Sequence, residues 1–104
     1  MKLSKVYKAK NYDEAVKKCP KGYRMLEIWE LVKLACEGEK KIFETEKDRW
    51  LAFWSKTLYG DYGARRLSRN RYGYWGAYWG NLSNTEAGGR VIYVKEDLKN
   101  DLGI

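Results

Sequence analysis

Between Trp50 and Trp79 the chain places ten of its sixteen aromatic residues. The second half of that run, Tyr59-Gly-Asp-Tyr-Gly-Ala-Arg-Arg-Leu-Ser-Arg-Asn-Arg-Tyr-Gly-Tyr-Trp-Gly-Ala-Tyr-Trp79, adds Arg65, Arg66, Arg69 and Arg71, with Gly60, Gly63, Gly73 and Gly76 between them. A chain of 104 residues makes one domain with one hydrophobic core. So dense a block of rings must therefore be divided between that core and the surface. Trp50, Phe53 and Trp54 read as core, in a buried strand over Arg49 to Thr57. Tyr72 to Trp79 read as surface, because Tyr, Trp and Arg supply most of the energy of binding surfaces through rigid area and fork-shaped hydrogen bonding.

The rest of the chain supplies a frame for this block. Leu3 to Ala9 reads as a short first strand. Asn11 caps a first helix with Asp13 and Glu14 near its positive end, and Pro20 stops it. In the second helix Met25, Ile28, Trp29, Val32 and Ala35 form one apolar face, widened by Leu31 and Leu34. That face predicts a buried Trp29. Gly38 ends the helix, and a charged loop over 39–48 follows, anchored by Ile42 and Phe43. Ala64 to Arg69 reads as a short strand, followed by glycine-aromatic loops. Gly88 to Lys95 reads as one closing strand, and Glu96 to Ile104 as a tail. Helices segregated from a run of antiparallel strands make an α+β fold, a single domain over 1–104.

Composition narrows the chemistry. There is no histidine, which removes the commonest general base and metal ligand. Glutamine is also absent while Lys and Glu are abundant, which leans towards a heat-adapted source. The net charge is +7. Its mixed sign along the chain reads as a solvated surface, while the excess leaves polyanions open as partners. No 18-residue apolar run and no apolar core near Met1 are present, so neither membrane insertion nor a signal peptide is expected. The expected location is the cytoplasm, or a virion or other particle. Cys19 and Cys36 fit neither a metal-binding CxxC pair nor a disulfide scaffold.

Three stretches resemble the C-type lectin-like superfamily, in the branch of formylglycine-generating-enzyme-type domains, FISUMP-type modules and variable proteins of diversity-generating retroelements. Cys19-Pro-Lys-Gly-Tyr-Arg24 resembles the Cys-Pro-x-Gly-(Trp/Tyr)-Arg segment before helix two, with Glu30 where the family has a helix-two glutamate. Phe53-Trp-Ser-Lys-Thr57 with Tyr59 resembles the (Tyr/Phe)-Trp-Ser-Ser-Thr-x-Tyr strand. Gly89-Arg-Val-Ile-Tyr-Val94 is similar to the closing strand. Met25-Leu26-Glu27 departs from the family's Leu-Pro-Thr. The cysteine that many relatives carry near the C-terminus is missing.

The resemblance implies two helices on a small, mostly antiparallel sheet, with the segment after the Trp-Ser strand as an exposed ligand face. Together with the residue chemistry it assigns ligand binding to Tyr59, Tyr62, Arg65, Arg69, Arg71, Tyr72, Tyr74, Trp75, Tyr78, Trp79 and Asn81. The ligand-bearing face runs over about 59–84, and the nine of these residues other than Tyr59 and Asn81 are expected on one partly exposed surface. A protein or glycan ligand is the first expectation, in a receptor-binding protein diversified at this face. Nucleic acid stacked on the rings, or a structural virion or surface role, are the alternatives.

No catalysis is expected, since the family's enzymes use a late cysteine pair that this chain lacks. No cofactor is expected either. Calcium-dependent sugar motifs are absent, and only Asp61 and Glu86 are acidic between Tyr59 and Arg90, so binding should be calcium-independent with no metal site. Without a C-terminal partner, and with Cys36 on a helix, Cys19 and Cys36 are expected unbonded.

Overall fold

A computed structural model describes residues 2–37, 51–69, 74–82 and 88–96. In chain order they form β1 (Tyr7–Lys8), α1 (Tyr12–Lys17), β2 (Tyr23–Met25), α2 (Ile28–Cys36), β3 (Leu51–Tyr59), β4 (Gly63–Arg69), β5 (Trp75–Asn81), β6 (Gly89–Val91) and β7 (Tyr93–Lys95). Five strands make one sheet in the order β1-β6-β3-β4-β5, and β2 pairs with β7 in a separate ribbon. All pairs are antiparallel except β3 with β6. The result is a small α+β domain with a mostly antiparallel sheet.

The helices begin where local chemistry allows. Asn11 Oδ1 accepts the Glu14 N–H at 2.8 Å, the expected side-chain cap of α1. Glu27 caps α2 in a capping box, with Glu30 reaching back to the Glu27 N–H at 2.9 Å. That start lies later than the periodicity suggests, because Tyr23 to Met25 are committed to β2.

β3 is buried on both sides over Leu51 to Ser55, which is why its sequence runs apolar instead of alternating. Phe53 faces Leu26, Leu31, Leu34, Leu51, Leu67, Ile92 and Val94, the layer under α2. Trp54 faces the opposite way, among Ala9, Ala15, Met25, Ala64, Val91 and Tyr93. Trp54 is wholly buried, as expected, and its Nε1–H donates to the Ala9 carbonyl at 3.2 Å. Trp50 and the 39–48 loop lie outside the described residues.

Three expectations need correction. Trp29 is 64% exposed, because α2 buries the stripe of Leu31 and Leu34, with Ile28 and Ala35, and turns the neighbouring stripe of Trp29 and Val32 outward. Residues 75–81 form a regular strand, β5, and not a loop. The closing segment is two strands: it leaves the main sheet at the buried Ile92 and continues as β7 against β2.

The Trp-Ser-x-Thr stretch has a structural use. Between Trp54 and Leu58 the β3–β4 register shifts. There the Ser55 hydroxyl donates to the Arg65 carbonyl at 2.7 Å, and the Lys56 N–H donates to the Leu26 carbonyl at 2.7 Å. The Thr57 hydroxyl donates to Glu27 at 2.5 Å and accepts the Ile28 N–H at 2.9 Å. The bulge thus ties β3 to the start of α2, and β3 then continues outward to Tyr59.

Candidate ligand-binding face on strands β4 and β5

The β4–β5 ladder is continuous from Gly63 opposite Asn81 to Arg69 opposite Trp75. Side chains alternate across a strand, so the ladder sorts the candidate residues by face. Arg65, Arg69, Trp75, Ala77, Trp79 and Asn81 share the face of Phe53 and Leu67, whereas Arg66 and Tyr78 share the face of Trp54.

At the outer end of the first face, Tyr59 and Trp79 stack with ring centroids 5.1 Å apart and planes 26° from parallel. The Arg65 guanidinium lies 4.2 Å from the Tyr59 ring centre. Both rings stay substantially exposed, Trp79 at 50%. At the inner end, Arg69 lies 5.5 Å from the Trp75 ring, which leans on buried Phe53 at 6.2 Å. A ring pair and a cation over a ring contribute about 0.5–1.5 and 0.5–1 kcal/mol respectively. These contacts hold the outer cluster in place before any ligand arrives, which lowers the ordering cost of binding.

Gly63 makes the outer stack possible through the absence of a side chain and not through a positive-φ turn, which among the described glycines only Gly22 and Gly60 adopt. A Cβ there would lie 2.8 Å from the Tyr59 carbonyl oxygen and 3.0 Å from Trp79 Cε3, so any larger residue pushes the indole away. On the opposite face a Cβ at Gly80 would lie 3.0 Å from Trp54 Cη2, and one at Gly76 would lie 2.6 Å from the Tyr78 ring. Glycine spaced between rings along one strand, as in Trp75-Gly-Ala-Tyr-Trp-Gly80, was the signal for these roles.

The single surface expected from the sequence is thus divided. Tyr59, Arg65, Arg69, Trp75, Trp79 and Asn81 come together on one face. Tyr78 stands on the other, beside Arg66, whose guanidinium lies 5.7 Å from the Trp54 ring. Tyr62, 77% exposed, lies in the β3–β4 turn made possible by Gly60 at φ +66°, and Tyr74, 73% exposed, precedes β5. Arg71 and Tyr72 lie outside the described residues.

Elsewhere two ionisable groups, Glu30 and Cys19, are tied into the frame. Arg24 forms a two-pronged pair with Glu30 at 2.8 and 3.0 Å, and this holds the Glu30 carboxyl below its ordinary value. Burial, assisted by the Glu96 carboxylate, pushes the Cys19 thiol up, which disfavours the reactive thiolate. Cys19 and Cys36 are both free thiols, as expected. Among the described residues no group of three His, Cys, Asp or Glu side chains could hold a metal ion, and no helix is long and apolar enough to cross a membrane. Comparison of the chain with protein-family models, curated proteins and solved structures finds no match.

Proposed function

We propose that the chain is a non-catalytic binding module of the C-type lectin-like kind, whose β4–β5 face takes a protein or glycan ligand. The observation that carries this reading is the Arg65–Tyr59–Trp79 cluster: two stacked rings and a guanidinium, half-exposed, on a regular pair of strands. Rings and guanidinium groups on rigid strands match the composition of binding hot spots, and nothing in the core needs these side chains outside. The fold assignment draws support from its motifs. Arg24 meets Glu30, and within the Trp-Ser-x-Thr stretch Trp54 bonds to Ala9, Ser55 to Arg65 on β4, and Thr57 to Glu27 and Ile28 at the start of α2. β4 and β5 lie between that strand and the closing segment, where the resemblance puts the ligand face. A face of this kind suits a receptor-binding protein whose exposed residues are diversified.

Nucleic acid is the second reading, favoured by Arg65 over the exposed Tyr59 ring and Arg69 over the partly buried Trp75 ring, on a chain of net charge +7. Phosphate neutralisation makes log affinity fall steeply with log salt, whereas ring stacking on a neutral ligand does not. The test probes glycan and protein arrays with the purified chain, beside a gel-shift assay with single-stranded DNA and RNA at two salt concentrations. Array binding with little salt dependence is expected. Binding confined to nucleic acid, and lost steeply with salt, overturns the protein or glycan reading.

A further inference from the structure

We infer that β5 pairs edge to edge with β5 of a second copy of this chain, making a two-fold dimer with one continuous sheet. The Leu82 N–H donates to the Tyr62 carbonyl at 2.8 Å, one step beyond the pair Gly63–Asn81. Hydrogen-bonded and non-bonded pairs alternate along an antiparallel ladder. So Gly80, Tyr78 and Gly76 bond inward to β4, while Ala77 and Trp79 turn their N–H and C=O groups away from it. The Ser55 bond to the Arg65 carbonyl agrees, since it requires Arg65 to point its carbonyl towards β3 and away from β5. Among the described residues β5 pairs with β4 alone, and the outward groups of Ala77 and Trp79 have no partner.

Edge strands that must stay unpaired carry lysine, proline or an inward charge. Trp75-Gly-Ala-Tyr-Trp-Gly-Asn81 carries none of these over seven residues. It is also self-complementary about Tyr78. With the two-fold axis there, Ala77 of one copy stands opposite Trp79 of the other, so each indole faces a methyl group. Gly76 stands opposite Gly80. The Tyr78 ring folds back over its own Gly76, where a Cβ would lie 2.6 Å from it. By symmetry the two Tyr78 rings lean in opposite directions along the strands and do not collide. The outward amides of Ala77 and Trp79 then bond to Trp79 and Ala77 of the other copy. No ligand is involved, so this inference stands or falls apart from the binding role of the face.

The test is sedimentation of the full chain from roughly 1 µM to roughly 1 mM, because a dimer's population depends on concentration. A monomer–dimer equilibrium is expected, strengthened by added salt that screens two copies of charge +7. Ala77→Lys places a charge at the edge. Ala77→Pro removes an outward N–H without touching the β4 ladder. Both should give monomers with the melting temperature of the dilute wild type. Amide exchange of the unmodified chain decides even where a variant fails to fold: protection at Ala77 and Trp79 should rise about tenfold or more with concentration, while Tyr78 is protected throughout. A monomer at all concentrations, or a dimer in which those two amides exchange as fast as in the monomer, overturns the inference.

Discussion

Single glycines decide what the aromatic residues of this chain can touch. Gly63 does not need a left-handed backbone; it needs the absence of a side chain where Trp79 crosses to Tyr59. Gly63→Ala should therefore cost about 1–3 kcal/mol, the range for an overpacked site, and should alter the near-ultraviolet circular dichroism of the stacked pair. Trp54 is the opposite case, a ring wholly inside with its N–H bonded. Trp54→Ala should cost about 3–5 kcal/mol by urea denaturation. Trp29→Ala should stay within about 0.5 kcal/mol of wild type, since that ring is mostly exposed. Glu30 sets a pH dependence. Arg24 lowers its carboxyl pKa, so the pair's contribution is fully present above the unfolded value near 4.5 and is lost as pH falls through the lower folded value. The urea midpoint should fall on acidification below that point, and Glu30→Gln should flatten the fall.

At the scale of elements, the sequence disclosed what its local chemistry encodes. The Asn11 cap marked α1, and the apolar run Leu51 to Trp54 marked a strand buried on both sides. β5 was hidden because Gly76, Ala77 and Gly80 have poor strand propensity, and its regularity comes from pairing with β4. The break at Ile92 was hidden for a related reason. Val91, Ile92, Tyr93 and Val94 all favour strands, and only the positions of β1 and β2 decide that the chain changes partner there. Trp29 misled because two apolar stripes run along α2 one residue apart, and tertiary packing chose the leucines. The candidate face was legible as a set of residues, but its division between two sides was not, since that depends on strand register.

Across the whole molecule, a two-sided core holds the β4–β5 end of the sheet, with Trp75 packed against it, while Tyr59, Tyr78 and Trp79 stay about half-exposed. On the function proposed above, the Arg65–Tyr59–Trp79 cluster serves binding and is not needed for the fold. The most direct measurement compares the Arg65→Ala/Trp79→Ala double variant with wild type, by melting temperature and by binding on the same glycan and protein arrays. The expected result is cooperative folding with a melting temperature lowered by roughly 4–8 °C for each kcal/mol of ring contact removed, and loss of array binding. A large fall in stability, with binding retained per folded molecule, would contradict it.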